Sequence, residues 1–183
     1  MSKSQIILGI DPGTIILGYG LIAVDETNLR LIQMGILKLH KYHDHFIRLS
    51  KITERITGLI NEFHPDEIAI EAPFYGKNVQ SMLKLGRAQG AALAPALQIG
   101  IPVFEYAPRK IKQAITGHGN ASKEQVATLL KHILKFDENP GYLDATDGVA
   151  VALCHHYQSG IHKKTSGPAS WKDFLKQNPD RIH

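Results

Sequence analysis

Two acidic residues stand at the ends of short apolar runs, each directly before a break that contains proline. Asp11 follows residues 6–10, and Glu71 follows residues 68–70. Short apolar runs that stop at proline or glycine are typical of strands buried on both faces of a sheet. A carboxylate at such a position loses hydration, so it needs a metal ion, a cation or hydrogen bonds. Both are candidate site residues, although Asp11 could instead cap the Asp-Pro-Gly turn and Glu71 could face solvent.

A second pair of acids precedes another apolar run. Asp144 and Asp147 come before residues 149–154, whose alanine content and continuation favour a buried helix. Three residues advance an α-helix by about 4.5 Å and about 300°, so the two carboxylates would project from one face and could hold one ion. Capping of the helix is the alternative. His155 and His156, at the far end of the run, are predicted to be hydrogen-bonded polar groups and not ligands.

The first third of the chain predicts a sheet that would position Asp11. Residues 16–24 and 29–39 are apolar and flank a polar turn, which makes the Asp11 strand the first of a three-stranded meander. Three glycines crowd the same region: Gly13, Gly18 and Gly20. They would let backbone or ligand come close to the end of the first strand.

A crossover would bring the first two acids together. Apolar residues recur at helical spacing over residues 43–63, which predicts an amphipathic helix on the sheet. Strand, helix and strand form a right-handed unit whose second strand is parallel to an earlier one. If that neighbour is the first strand, Asp11 and Glu71 lie side by side where sites of α/β proteins form. The sequence thus predicts an α/β fold with a mixed sheet, in which the meander and parallel crossover strands are flanked by helices.

Small residues form a ridge on a helix predicted over residues 78–100. Gly86, Gly90 and Ala94 recur four residues apart, so they lie along one helix face. A face without large side chains allows another element to approach closely. Either packing on the sheet or a seam between two subunits would use this ridge.

A basic segment follows the strand predicted over residues 101–106. It carries Arg109, Lys110 and Lys112 and leads into a glycine-containing loop at residues 117–120. Cations beside loop amides would bind phosphate groups well, and an ordinary solvated face is the alternative.

A capping box marks the start of the next helix. Ser122 and Gln125 have the required spacing, which predicts that the helix begins at Lys123. Its N-terminus would add to the phosphate-binding surface. The alternative is a helix start without such a role.

The composition indicates one main domain. The chain has 183 residues, 43% of them hydrophobic and 21% charged, and a formal net charge of +4, which permits a polyanionic partner without requiring one. The single Cys154 excludes a disulfide framework and a cysteine-based zinc site. With no signal peptide and no apolar stretch of about 18 residues, a cytoplasmic protein without membrane contact is expected. We expect one domain at residues 1–160 and a basic linker with a C-terminal tail at residues 161–183.

Five motifs occur in order between residues 6 and 157. They are Asp-Pro-Gly with Gly-Tyr-Gly (residues 11–20), Ile-Glu with Phe and Lys-Asn (70–78), Leu-Gly-Arg-Ala-Gln-Gly (85–90), Tyr-Ala-Pro running into Lys and Thr-Gly-His-Gly (106–119), and Asp-Ala-Thr-Asp-Gly ending in Cys-His (144–155). Each motif alone is weak, but the ordered set resembles the RuvC-type Holliday junction resolvases.

The resemblance implies a ribonuclease H-like fold and a homodimer that cleaves four-way DNA junctions symmetrically in recombination and repair. It implies two Mg²⁺ ions per subunit, or Mn²⁺ in their place, and cooperation with the RuvAB branch-migration motor. Asp11, Glu71, Asp144 and Asp147 would be the catalytic and metal-binding residues. The expected DNA contacts are Phe74, Tyr75, Lys77, Asn78, Arg87, Arg109, Lys110, Lys112, His118 and Lys123.

Four carboxylates suit this chemistry. Phosphodiester hydrolysis by two metal ions about 3.5 to 4 Å apart needs hard oxygen ligands from several directions. The charges of four carboxylates and two Mg²⁺ ions cancel, whereas without metal the acids would repel one another and favour protonation. Metal dependence and pH dependence should therefore be coupled.

The loop beyond Glu71 carries an aromatic pair. Phe74 and Tyr75 precede the cationic Lys77, so they are placed to stack on bases that become unstacked at a junction crossover. A role in the core is the alternative for both rings.

Two other classes of function remain open from sequence. The opening Gly-Ile-Asp-Pro-Gly-Thr also resembles the first phosphate loop of actin-like ATPases, although 183 residues leave no room for their second lobe. A junction-binding module without catalysis, or a relative of the RuvC-like YqgF proteins that act on RNA, is the other class. The four acids argue against an inactive binder.

Overall fold

The structure is a computed structural model that describes residues 4–25, 28–73, 78–136 and 142–164. Its strands are β1 (Gln5–Asp11), β2 (Ile16–Asp25), β3 (Asn28–Lys38), β4 (Glu67–Glu71) and β5 (Val103–Tyr106). Its helices are α1 (His45–Phe63), α2 (Val79–Gln98), α3 (Pro108–Thr116), α4 (Lys123–Leu134) and α5 (Tyr142–Lys164).

The strands form one mixed sheet in the order β3-β2-β1-β4-β5. β1 and β2 pair antiparallel, as do β2 and β3, which confirms the predicted meander. β4 is parallel to both β1 and β5. Because Ile10 is in register with Ile70, Asp11 and Glu71 end adjacent strands at the same edge of the sheet.

Helices cover both faces of the sheet, and a separate apolar core lies on each face. On one face, residues of α3, α4 and α5 pack with Ile7 and Ala69. On the other face, residues of α1 and α2 pack with Leu8 and Ile10. Successive strand residues point to opposite faces, so Asp11 and Glu71 project toward α5.

Helix α5 lies unusually close to β1 and β2 because glycines line the contact. A Cβ atom at Gly148 would lie 2.4 Å from the Cα of Tyr19, and one at Gly18 would lie 2.3 Å from the carbonyl oxygen of Asp144. A Cβ at Gly9 would lie 2.1 Å from the carbonyl oxygen of Gly148. Backbone therefore packs on backbone here, as the crowding of glycines predicted for Gly18.

Two helices differ from the sequence-based expectation. The basic segment forms α3, which has Pro108 at its start and ends at Gly117 with a φ of 78°. Helix α5 continues to Lys164, beyond the domain boundary expected at residue 160. The tail at residues 165–183 lies outside the described residues, so its separation from the main domain stays a prediction.

The other helix boundaries agree with their sequence signals. Ser122 and Gln125 form the predicted capping box, in which the backbone N–H of Ser122 donates to Oε1 of Gln125 over 2.8 Å. Helix α1 begins after the cap Asp44. Across the part of the chain that the structure describes, no helix combines the length and the apolar character that crossing a membrane requires.

Candidate active site

The four predicted acids come from three elements that meet at one edge of the sheet. Asp11 ends β1, Glu71 ends β4, and Asp144 and Asp147 lie in the first turns of α5. The close packing of α5 on β1 and β2 brings these turns to the strand ends. Sequence reasoning therefore located the four acids at one end of the fold.

Two adjoining clefts contain the acids. Asp11, Glu71 and Asp147 line the first cleft, together with Lys112 and Lys123. Asp11 and Lys123 also line the second cleft, where they are joined by Asp144 and by the loop that follows β1. All four carboxylates thus border a shared groove.

Burial and nearby negative charge make three of the acids, Asp11, Glu71 and Asp147, hold protons more strongly than usual. Burial, followed by the charges of Asp147 and Asp144, raises the pKa of Asp11 to about 7 against the opposing effect of Lys123. Burial and the charges of Asp11 and Asp147 raise the pKa of Glu71 to about 8. The pKa of Asp147 is also raised, chiefly by burial. The groove therefore concentrates negative charge that a cation would relieve.

Lys123 supplies part of that positive charge. Its ammonium Nζ lies 2.5 Å from Oδ2 of Asp147 and 3.8 Å from Oδ1 of Asp144. Lys112 lines the same cleft as Glu71. The structure thus places two of the predicted DNA-binding lysines among the acids, and not on a separate basic surface.

The chemistry of the groove fits divalent cations. Four hard carboxylate oxygen donors face one space, and burial together with the neighbouring carboxylates raises the pKa of Asp11 and Glu71 despite the opposing charge of Lys123. Within the described ranges, no three acidic, histidine or cysteine side chains already enclose a metal-sized position. Asp11, Glu71, Asp144 and Asp147 would hold the ions, and binding would release protons.

An arginine that sequence reasoning missed fixes the loop after Asp11. Arg48 donates from Nη1 to the carbonyl oxygen of Thr14 over 3.0 Å and from Nε to that of Tyr42 over 2.7 Å. The backbone N–H of Leu39 also donates to the carbonyl oxygen of Ile15. No local pattern marks the contact of Arg48 with this loop, because Thr14 is 34 residues away in sequence.

The other predicted DNA contacts that the structure describes lie outside the groove. Arg87, Arg109, Lys110 and His118 are exposed. Asn78 caps α2, since its Oδ1 accepts from the backbone N–H of Ser81 over 3.1 Å. Three predicted contacts lie outside the described residues: Phe74, Tyr75 and Lys77.

His155 is not part of the groove. Its ring is 1% exposed and hydrogen-bonded at both nitrogens. The prediction of a hydrogen-bonded polar group at this position is therefore confirmed.

Comparison with known proteins agrees with the fold. The family model "Crossover junction endodeoxyribonuclease RuvC" matches residues 7–155. The protein of that name from Cytophaga hutchinsonii is 62% identical over 178 residues, which cover 97% of this chain and 88% of that protein. The one from Porphyromonas gingivalis is 57% identical and covers 98% of both chains.

Solved structures give the same result. RuvC of T. thermophilus, in complex with a Holliday junction substrate, superposes with a TM-score of 0.78 and 34% identity over 86% of this chain and 96% of that one. The yeast mitochondrial Holliday junction resolvase Ydc2 shares the fold, with a TM-score of 0.64 at 16% identity over 93% of this chain and 83% of that one. Since the family match spans most of the chain and several relatives are more than half identical, this protein belongs to the RuvC family of crossover junction endodeoxyribonucleases.

Proposed function

We propose that this protein resolves four-way DNA junctions in recombination and repair by symmetric hydrolysis of phosphodiester bonds. The observation that carries the proposal is the groove in which four carboxylates from β1, β4 and α5 meet. Membership of a family of crossover junction endodeoxyribonucleases supports the same substrate.

The residues of the groove would have separate roles in this reaction. Two Mg²⁺ ions per subunit, or Mn²⁺ in their place, would supply an activated water and support the leaving oxygen. Asp11 and Glu71 provide oxygen ligands from rigid strand ends, and Asp144 and Asp147 provide them from α5. Lys112 and Lys123 line the same groove, where they would offset the negative charge of the scissile phosphate.

The test compares three substrates: a labelled four-way junction, a linear duplex of the same sequence and a structured RNA. Each is incubated with Mg²⁺ or with EDTA. Paired nicks in the junction alone, and only with Mg²⁺, are expected. Equal nicking of the duplex, or faster cleavage of the RNA, would contradict junction specificity, and magnesium-dependent ATP hydrolysis would point to the ATPase class.

We also propose a two-fold homodimer, in which the exposed face of α2 forms the seam. Val79 is 66% exposed, Leu83 52% and Leu97 63%. A Cβ atom at Gly86 or Gly90 would meet nothing within 4 Å. These positions are spaced by three, four or seven residues and so share one helix face. The ridge therefore does not pack on the sheet in the subunit, which leaves the seam as its use.

Gly90→Leu is expected to break this dimer, because a bulky side chain would separate two closely packed ridges. Sedimentation should give a dimer for the parent at micromolar concentration and a monomer for the variant, with loss of paired nicking. Gly58→Leu is the matched control, since Gly58 also lies in a helix with open space around its Cβ position. A monomeric parent, or an unchanged mass of the Gly90 variant, would contradict the seam.

Family membership supports two further parts of the proposal: cooperation with the RuvAB branch-migration motor and a cytoplasmic location.

The nuclease domain is proposed to span residues 1–160, and residues 161–183 to form a separate tail. Base stacking by Phe74 and Tyr75 and phosphate contact by Lys77 are proposed from sequence alone. Asn78, Arg87, Arg109, Lys110 and His118 complete the proposed DNA surface.

A further inference from the structure

A chain of three polar side chains, two of them buried, lies behind the acidic groove, and the proposed cleavage chemistry does not use it. Nδ1 of His155 is 2.7 Å from the hydroxyl oxygen of Tyr106, and its Nε2 is 2.7 Å from Oε2 of Glu67. The ring of Phe104 stacks on that of His155 with centroids 4.3 Å apart. Three secondary-structure elements therefore meet at one imidazole.

The donors and acceptors in this chain match a neutral imidazole. With the ring proton assigned to Nε2, His155 donates to the carboxylate of Glu67, and Nδ1 accepts from the hydroxyl of Tyr106. Burial raises the pKa of Tyr106 to about 12, so its phenol keeps the proton that it donates. Both hydrogen bonds are therefore satisfied in one protonation state, and the buried ring has no unpaired nitrogen.

One partner of His155 lies on the strand that carries Glu71, and the other is hydrogen-bonded to the backbone just beyond that strand. Glu67 is the first residue of β4, and Glu71 is the last. Tyr106 ends β5. Its backbone carbonyl oxygen accepts from the backbone N–H of Ala72, the residue after Glu71, over 2.9 Å. His155 itself lies on α5, downstream of Asp144 and Asp147.

Most other contacts of α5 with the sheet are apolar or between backbones, and such contacts set a distance but little direction. Gly9, Gly18 and Gly148 bring the backbones together, and buried alanine and valine side chains fill the remaining contact. Hydrogen bonds, in contrast, are directional. The contacts of His155 with Tyr106 and Glu67 therefore fix where α5 lies relative to β4 and β5.

We propose that the chain Tyr106–His155–Glu67 positions the carboxylates of α5 against Glu71, and that the bond between His155 and Tyr106 contributes most because Tyr106 is paired with the backbone beside Glu71. The inference rests on the proposed nuclease function for its kinetic test. His155 is a positioning residue, since it touches neither the groove nor the substrate.

Two variants remove the hydrogen bond between His155 and Tyr106, and a third keeps it. Tyr106→Phe deletes one oxygen, and His155→Leu deletes both ring nitrogens. His155→Asn places an amide oxygen near the former Nδ1, where it can still accept from Tyr106. It leaves Glu67 without the imidazole, but the Glu67 side chain is 24% exposed and can bond to water.

Three quantities are measured on the full-length protein: Mn²⁺ affinity by titration calorimetry, kcat with saturating junction, and the junction Kd. Tyr106→Phe and His155→Leu should each weaken Mn²⁺ binding and lower kcat by about fivefold or more, with an unchanged junction Kd. His155→Asn should stay within about twofold of the parent in both Mn²⁺ affinity and kcat. Tyr157→Phe, which removes a hydroxyl from the same helix outside the chain, should match the parent.

A purely stabilising role gives a different pattern. If Tyr106→Phe and His155→Leu lower the melting temperature but bind Mn²⁺ and cleave as the parent does, the positioning role is overturned. It is also overturned if His155→Asn is as impaired as His155→Leu. Should His155→Leu fail to fold, Tyr106→Phe decides. A parent that binds Mn²⁺ but does not cut junctions would refute the proposed function alone, because the Mn²⁺ titrations still test positioning.

Discussion

Asp11→Asn should lower the rate of junction cleavage on the order of a thousandfold, which corresponds to about 4 kcal/mol of transition-state stabilisation. Asp11 lines both clefts of the groove and lies on the central strand of the sheet. The amide has the same shape, so the sheet is preserved while a negatively charged metal ligand is lost. Junction binding should persist, because the exposed Arg109 and Lys110 are unchanged.

The other acids extend this prediction. Glu71→Gln and Asp147→Asn should have effects of the same order, since both side chains line the cleft that contains Lys112. Asp144→Asn should be milder, because the side chain of Asp144 is 45% exposed and an amide oxygen can still act as a ligand.

Single-turnover cleavage with Mg²⁺ measures the chemical step, and gel-shift titration in EDTA measures junction binding. Asp44→Asn is the matched control. Asp44 caps α1 away from the groove, and asparagine caps a helix as well as aspartate does. Substantial cleavage by all three variants at Asp11, Glu71 and Asp147 would refute the site assignment.

The sheet and the edge at which the acids meet were predictable from sequence because local rules determine both. The alternation of apolar runs and turns defined the meander, and the crossover connection of a strand–helix–strand unit made β4 parallel to an earlier strand. In the structure Ile10 is in register with Ile70, so Asp11 and Glu71 lie at the ends of adjacent strands. The resemblance to the RuvC family is confirmed by the family match.

Contacts between distant residues were not predictable in the same way. Lys123 was assigned to a phosphate-binding surface, but its ammonium pairs with Asp147, which is 24 residues away in sequence. Arg48 reaches Thr14 across the fold. Helix α3 was missed because it is short and buries only Ile111 and Ile115, so the basic residues dominate its pattern.

Gly148→Ala should destabilise the protein by about 3 kcal/mol or more, even though alanine is the better helix former. The added Cβ would lie 2.4 Å from the Cα of Tyr19, and its close neighbours there are all backbone atoms of that residue. Neither partner can rotate away, so α5 must move off the sheet. Because Asp147 is the preceding residue, Mn²⁺ binding should weaken together with stability.

The magnitude is measured by urea unfolding of the parent and the variant in EDTA, so that metal binding does not contribute to stability. Gly58→Ala is the matched control, since Gly58 lies in the interior of α1 and its Cβ position is open. That change should stabilise the protein by about 0.5 to 1 kcal/mol through helix propensity alone. If Gly148→Ala also stabilises the protein, α5 does not pack on the backbone of β2, and the close approach that carries Asp144 and Asp147 to the strand ends is wrong.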